Sequence, residues 1–146
     1  MNRIVFITGA TSGIGKACAR KFAAAGDHLI INGRRRELLE ELKQELRSNY
    51  EIDILCAPFD VQDKEEVFDC INGFSGKWRS VDILINNAGL ALGRDYFEEA
   101  PLSDWETMVQ TNINGLLYVS KAVLPSMIEK NQGHVINLGS VAGDEV

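Results

Sequence analysis

The sequence predicts an α/β fold: a doubly wound parallel sheet of five strands and four helices, in one domain over residues 1–146. Two observations predict it. Short apolar runs rich in Ile, Val and Leu alternate with longer segments of helical period, the pattern of repeated strand-helix-strand units. The first of these runs leads straight into a glycine-rich turn and then a helix. A chain of 146 residues, 45% hydrophobic and 25% charged, is long enough to enclose one core, and no repeat, linker or low-complexity segment divides it.

The strands are predicted near Ile4 to Thr8, His28 to Gly33, Ile52 to Pro58, Val81 to Asn86 and His134 to Leu138. Between the first two, Ile14, Cys18, Phe22 and Ala25 recur at helical spacing, with Gly26 as a stop. A second helix carries Leu38, Leu39, Leu42 and Leu46. Asp63 with Glu66, and Ser103 with Glu106, each fit a capping box and mark the third and fourth helices. The fourth is long. Its stripe is Trp105, Met108, Val109, Asn112, Leu116, Val119 and Val123, with Pro125 near its end. Asn87 to Leu102 is the longest irregular connection.

A net charge of -6 and a pI near 4.9 argue against a nucleic-acid or anionic-membrane surface, because both partners are negative. Any anion must therefore be bound by a local feature. Only four apolar residues, Ile4 to Ile7, follow Met1-Asn2-Arg3, too few for a secretory h-region, and no run approaches a membrane span. Cys18, Cys56 and Cys70 sit in apolar stretches, away from metal-ligand or CxxC spacing. No metal site is expected, and the setting is expected to be reducing and cytoplasmic.

The glycine-rich turn reads Thr8-Gly9-Ala10-Thr11-Ser12-Gly13-Ile14-Gly15. Gly9 lets the chain leave the strand sharply, Gly13 lets backbone approach a pyrophosphate, and Gly15 lets the helix pack close to the sheet. A phosphate would sit at the helix N-terminus, so Gly9, Thr11, Ser12, Gly13, Ile14 and Gly15 are the expected cofactor contacts. A glycine turn can also be a plain connection. The strand before it and the helix after it are what the phosphate reading requires.

In dinucleotide folds the end of the second strand meets the adenosine ribose, where an acid suits NAD and a base suits the extra phosphate of NADP. Here the strand ends Ile31-Asn32-Gly33-Arg34-Arg35-Arg36, with no carboxylate before Glu37. A guanidinium makes forked, charge-assisted bonds to phosphate, so Arg34 or Arg35 is the expected clamp, and NADP(H) is expected over NAD(H). The competing reading is a solvated basic start to the second helix, which the helix dipole disfavours.

Three further segments follow strand ends: Asp60-Val61, Asn86-Asn87-Ala88-Gly89 and Leu138-Gly139-Ser140. With Thr8-Gly9-x-x-x-Gly13-x-Gly15, their order and spacing resemble the short-chain dehydrogenase/reductase family over essentially all of the chain. The resemblance implies a Rossmann-like sheet that binds NADP(H), with hydride exchanged between the nicotinamide and a hydroxyl or carbonyl substrate. It implies that Asp60 bonds the adenine amino group, that Val61 gives a backbone contact, and that Asn87, Ala88 and Gly89 line the cofactor. It gives catalytic roles to Ser140, holding the substrate carbonyl, and to Asn112, interrupting its helix and holding a water. Asn86 to Gly93, the Gly33-Arg34-Arg35 turn and Asp104 to Met108 are similar to the NADP-dependent 3-hydroxy acid and serine dehydrogenases.

The family's acid/base is a tyrosine in a Tyr-x-x-x-Lys motif shortly after the serine, and the sequence reaches Val146 before such a motif. Tyr118 and Lys121 are three apart and precede Ser140, so they are not substitutes. The 146-residue chain alone is expected to turn over negligibly. Self-association is also expected, through the fifth strand and the Trp105 helix. Two readings stay open: an oxidoreductase seen through its N-terminal part, and a non-catalytic NADP(H)-binding or interaction module. A separate chain that completes the fold ranks behind both.

Overall fold

The apolar runs form one five-stranded parallel sheet, described over residues 2–143 in a computed structural model. In chain order the elements are β1 (Ile4–Ile7), α1 (Gly13–Ala24), β2 (His28–Gly33), α2 (Arg36–Asn49), β3 (Ile54–Pro58), α3 (Lys64–Asn72), β4 (Ile83–Asn86), α4 (Leu102–Val109), α5 (Leu116–Glu129) and β5 (His134–Asn137). The strand order β3-β2-β1-β4-β5 is that of a Rossmann-like doubly wound sheet. Val5 registers with Leu29 on one side and with Ile83 on the other.

All four residues of β1 are buried, because helices cover both faces of the sheet. Side chains alternate between the faces. Val5, Ile7, Leu29 and Ile31 pack with Ala19 and Ala23 of α1 and with Leu39, Leu42 and Leu46 of α2. Ile4, Phe6, Ile30 and Leu84 pack on the other face with Val67 and Ile71 of α3 and with Val119, Val123 and Met127 of α5. Phe6 anchors that second core, meeting Phe74 and Phe59 edge-on at 5.8 and 6.5 Å between ring centroids.

Several local expectations are corrected. Thr8, Ile52, Val81 and Leu138 fall just outside their strands; Thr8 spends its hydroxyl on the turn after β4 instead. On α1 the buried face is Gly15, Ala19 and Ala23, with Cys18 and Phe22 half-buried and Ile14 exposed beside the mouth of the sheet. At α3, Asp63 Oδ1 accepts from Glu66 N as predicted, but Glu66 reaches Asp60 N rather than its own cap residue. Ser103 makes no cap. α4 starts behind Pro101, and the Ser103 carbonyl accepts from Thr107 Oγ1.

The long fourth helix is two helices joined by a π turn, Gln110–Gly115. The wider turn re-phases the helix, so the buried positions become Thr111, Gly115, Val119, Val123 and Met127. Val109 and Asn112, expected on the inward stripe, are exposed, Asn112 turning to the loop after β4. Opposite the core, Val109, Ile113, Leu117, Leu124 and Ile128 leave an exposed apolar stripe. β5 lies at one edge of the sheet and is only half-buried.

Candidate functional site

The strand order reverses on either side of β1, and the crevice this leaves at the C-terminal ends of the strands is where open α/β sheets bind ligands. A cleft of about 370 Å³ occupies that place. Every expected cofactor contact lines it except Gly15: Gly9, Thr11, Ser12, Gly13, Ile14, Arg34, Arg35, Asp60, Val61, Asn87, Ala88 and Gly89.

Gly9 has φ +62°, which a side chain would strain, and a Cβ there would also lie 3.0 Å from the Ala88 Cα. Gly15 is excluded from the cleft because it is packed beneath it. A Cβ on Gly15 would collide with the Gly9 carbonyl and Asn87 Nδ2. The turn is then bolted to β4 by reciprocal bonds. Thr8 Oγ1 accepts from Asn87 N and Ala88 N, each at 3.0 Å, and Asn87 Nδ2 donates to the carbonyls of Thr8 and Gly9, each at 3.0 Å.

Ser12 stands at the N-cap of α1 and makes no side-chain capping bond, so the first-turn N–H groups of Gly13, Ile14 and Gly15 have no partner within the helix. No acid occupies that turn, and nothing lies within 4 Å of where a Gly13 Cβ would stand. An anion would meet unpaired donors and the positive end of a helix dipole. Exposed Arg34 and Arg35 line the same cleft. They supply its positive charge in a chain of net charge -6. On its far rim, Asp60 is half-buried, and its Oδ1 accepts from Gln62 N at 3.0 Å.

The two expected catalytic residues do not line the cleft. Asn112 lies in the π turn, so its helix is interrupted there as the resemblance implied. Its amide holds the loop after β4: Oδ1 accepts from Leu90 N at 2.9 Å and Nδ2 donates to the Leu90 carbonyl at 2.7 Å. Ser140 is exposed beyond β5, its Oγ accepting from Ala142 N at 3.2 Å. Tyr118 is half-buried against the Phe6 core.

Sequence reading overlooked Asn32. It is almost fully buried, accepts from Gly9 N at 3.3 Å and donates to the carbonyls of Ala57 and Phe59, each at 3.0 Å. It ties together the three strand ends that frame the cleft. The available signal was an asparagine within an apolar strand, since buried polar groups are hydrogen-bonded. Thr8 and Thr111 were also missed.

Away from the cleft, Cys18, Cys56 and Cys70 are free thiols, and burial pushes Cys56 up to about 11. Among the described residues no cluster of His, Cys, Asp or Glu could hold a metal, and no helix is long and apolar enough to cross a membrane.

The family model for short chain dehydrogenase matches residues 3–146. The chain belongs to the short-chain dehydrogenase family. Within it, the chain is 46% identical over 140 residues to an NADP-dependent 3-hydroxy acid dehydrogenase of Salmonella typhi, covering 96% of this chain and 55% of that protein. It is 49% identical over 144 residues to sulfoacetaldehyde reductase 2 of Chromohalobacter salexigens, covering 98% and 56%. A solved closed form of serine dehydrogenase complexed with NADP+ superposes with a TM-score of 0.88 at 45% identity, over 97% of this chain and 55% of that one. The chain therefore spans little more than half the length of the relatives it matches.

Proposed function

We propose that the chain is the cofactor-holding part of an NADP(H)-dependent oxidoreductase acting on a hydroxyl or carbonyl substrate, of the 3-hydroxy acid or serine kind. One observation carries the reading: the uncapped N-terminus of α1 and the Arg34-Arg35 turn open onto the same cleft at the strand C-termini. These residues fit the group. The Gly13 approach is clear, the first-turn N–H groups suit a pyrophosphate, and either arginine suits a 2'-phosphate. The names of the relatives, NADP-dependent or solved with NADP+, support the same cofactor.

NADP(H), when bound, supplies the hydride exchanged with the substrate carbon. The residues of the chain bind and orient. Asp60 has one oxygen engaged by Gln62 N–H and the other for the adenine amino group, while Val61 offers backbone. Asn87, Ala88 and Gly89 form the wall bolted to Thr8. Ser140 donates a hydrogen bond to the substrate carbonyl oxygen. Asn112, with one amide hydrogen committed to Leu90, keeps the other for a water. No Tyr-x-x-x-Lys motif follows Ser140 within the 146 residues, and a missing general acid costs roughly 10² to 10⁴-fold in rate. The 146-residue chain alone thus binds cofactor and turns over negligibly. A reducing, cytoplasmic setting suits its free thiols.

The test is binding and turnover measured on the same preparation. NADPH should bind with enhanced nicotinamide fluorescence, and NADP+ with a 3-hydroxy acid or serine should give no absorbance change above the uncatalysed rate. A polypeptide extended to include a Tyr-x-x-x-Lys helix should turn over. If the extended protein also binds without turnover, the non-catalytic binding module is the correct reading.

A further inference from the structure

The π turn touches both rims of the cleft. On one rim Asn112 holds Leu90, as described. On the other, Gln110 Nε2 donates to the Gln62 carbonyl at 2.7 Å, and Asn114 Nδ2 donates to Gln110 Oε1 at 2.7 Å. The second bond fixes which end of the Gln110 amide faces Gln62, since an amide whose oxygen is occupied must present its NH₂. Gly115 presses on the same loop: a Cβ there would fall 2.8 Å from Val61 Cγ2 and 3.1 Å from the Val61 carbonyl.

Gln62 is therefore pinned at both of its backbone polar groups. Its carbonyl is held by Gln110 and its N–H by Asp60 Oδ1 at 3.0 Å. The Asp60–Gln62 turn is short, so holding Gln62 also sets the direction of the Asp60 carboxylate, which lines the cleft. One carboxylate oxygen is spent on the turn. The other can accept from an exocyclic amine on a base.

We infer that Gln110 is a positioning residue for base recognition: through the Gln62 carbonyl it holds Asp60 in the orientation that selects an amino-bearing purine. The inference rests on the NADP(H) reading. It assigns the π turn a role at the adenine end of the cleft, independent of the arginines at the 2'-phosphate. Nothing in the segment Gln110-Thr111-Asn112-Ile113-Asn114-Gly115 contacts Arg34 or Arg35 through a hydrogen bond or ion pair among the described residues.

The experiment compares three reduced dinucleotides on the 146-residue chain: NADPH, NADH, and the hypoxanthine analogue of NADPH, which has a carbonyl where adenine has its amine. The unsubstituted chain should prefer NADPH over the hypoxanthine analogue by about ten-fold or more, the scale of a hydrogen bond to a charged group. Gln110→Met, similar in size but without the amide, should reduce that ratio to about two-fold while leaving the NADPH-to-NADH ratio within two-fold of its original value. Asn114→Ala, which removes only the bond orienting the amide, should lower the hypoxanthine ratio by a smaller factor. An unchanged hypoxanthine ratio in Gln110→Met overturns the inference, and so does a parallel loss of both ratios, which would mark general damage. Failure of the unsubstituted chain to bind any dinucleotide would overturn the cofactor reading and this inference with it.

Discussion

Replacing Asn32 with alanine should weaken both the fold and the cofactor cleft. The side chain donates two bonds of 3.0 Å, to the carbonyls of Ala57 and Phe59, and accepts a longer one of 3.3 Å from Gly9 N. All lie at a site where water has almost no access. A net hydrogen bond contributes about 1 kcal/mol, and stranding a buried partner costs about 1–3 kcal/mol. Counting the two shorter bonds fully and the longer one at a discount, the loss should be about 2–4 kcal/mol. With a urea slope of about 2 kcal/mol per molar, the unfolding midpoint should fall by roughly 1–2 M at unchanged slope. Asn32→Asp keeps the acceptor for Gly9 N, loses both donors and buries a charge, so it should lose more than the alanine variant. NADPH affinity should drop by about ten-fold in Asn32→Ala, because the bonds it removes anchor the Gly9 turn and the chain leading to Asp60. Urea denaturation followed by circular dichroism checks the first effect, and fluorescence titration at low denaturant checks the second. A midpoint shift below about 0.3 M for Asn32→Ala would refute the reasoning.

Other consequences concern charge, thiol chemistry and association. Burial alone would raise the Asp27 carboxyl, but its bonds from Arg3, at 2.6 and 3.0 Å to the guanidinium and 3.2 Å to the backbone N–H, more than reverse this and hold it below the ordinary 3.8. Its contribution is thus fully present above that ordinary value and is lost as pH falls through the lower folded value; Asp27→Asn should flatten the acid limb of a stability-against-pH curve measured by urea titration. Cys56, pushed up to about 11 by burial, should react with iodoacetamide at pH 8 far more slowly than an exposed thiol, its thiolate fraction being on the order of 10⁻³; peptide mapping after timed alkylation reads this directly. The outward stripe of Val109, Ile113, Leu117, Leu124 and Ile128 should drive self-association, which sedimentation velocity would register as a concentration-dependent shift that Leu117→Lys reduces.

The sheet was legible chiefly through β1, β2 and β4, which are buried on both faces and therefore read as continuous apolar runs. Thr8 has the β-branched character of a strand residue, yet its hydroxyl serves Asn87 and Ala88. The cleft was legible wherever backbone conformation dictates the residue, as at Gly9, or close packing does, as at Gly15. The family resemblance gave the interruption at Asn112 but not the π form it takes. The π turn re-phases a helix whose apolar residues fit an uninterrupted period on either side, so Val109 and Asn112 read as inward-facing when they are not. Asn32 and Gln110 were hidden for a related reason: their partners are main-chain carbonyls 25 to 48 positions away in the chain, which carry no residue-type signature. Ile14 was read both as part of the helix stripe and as a cofactor contact; its exposure at the cleft fits the second reading and not the first.

The proposed function turns on a cleft that takes an NADP(H) dinucleotide and recognises its 2'-phosphate through the turn after β2. Titrating the chain with NADPH and with NADH, before and after Arg34→Ala and Arg35→Ala, tests this most directly. NADPH should bind more tightly, by about ten-fold or more, and that preference should be lost in at least one variant with NADH affinity largely retained. Equal or tighter binding of NADH, or a preference that survives both substitutions, would contradict it.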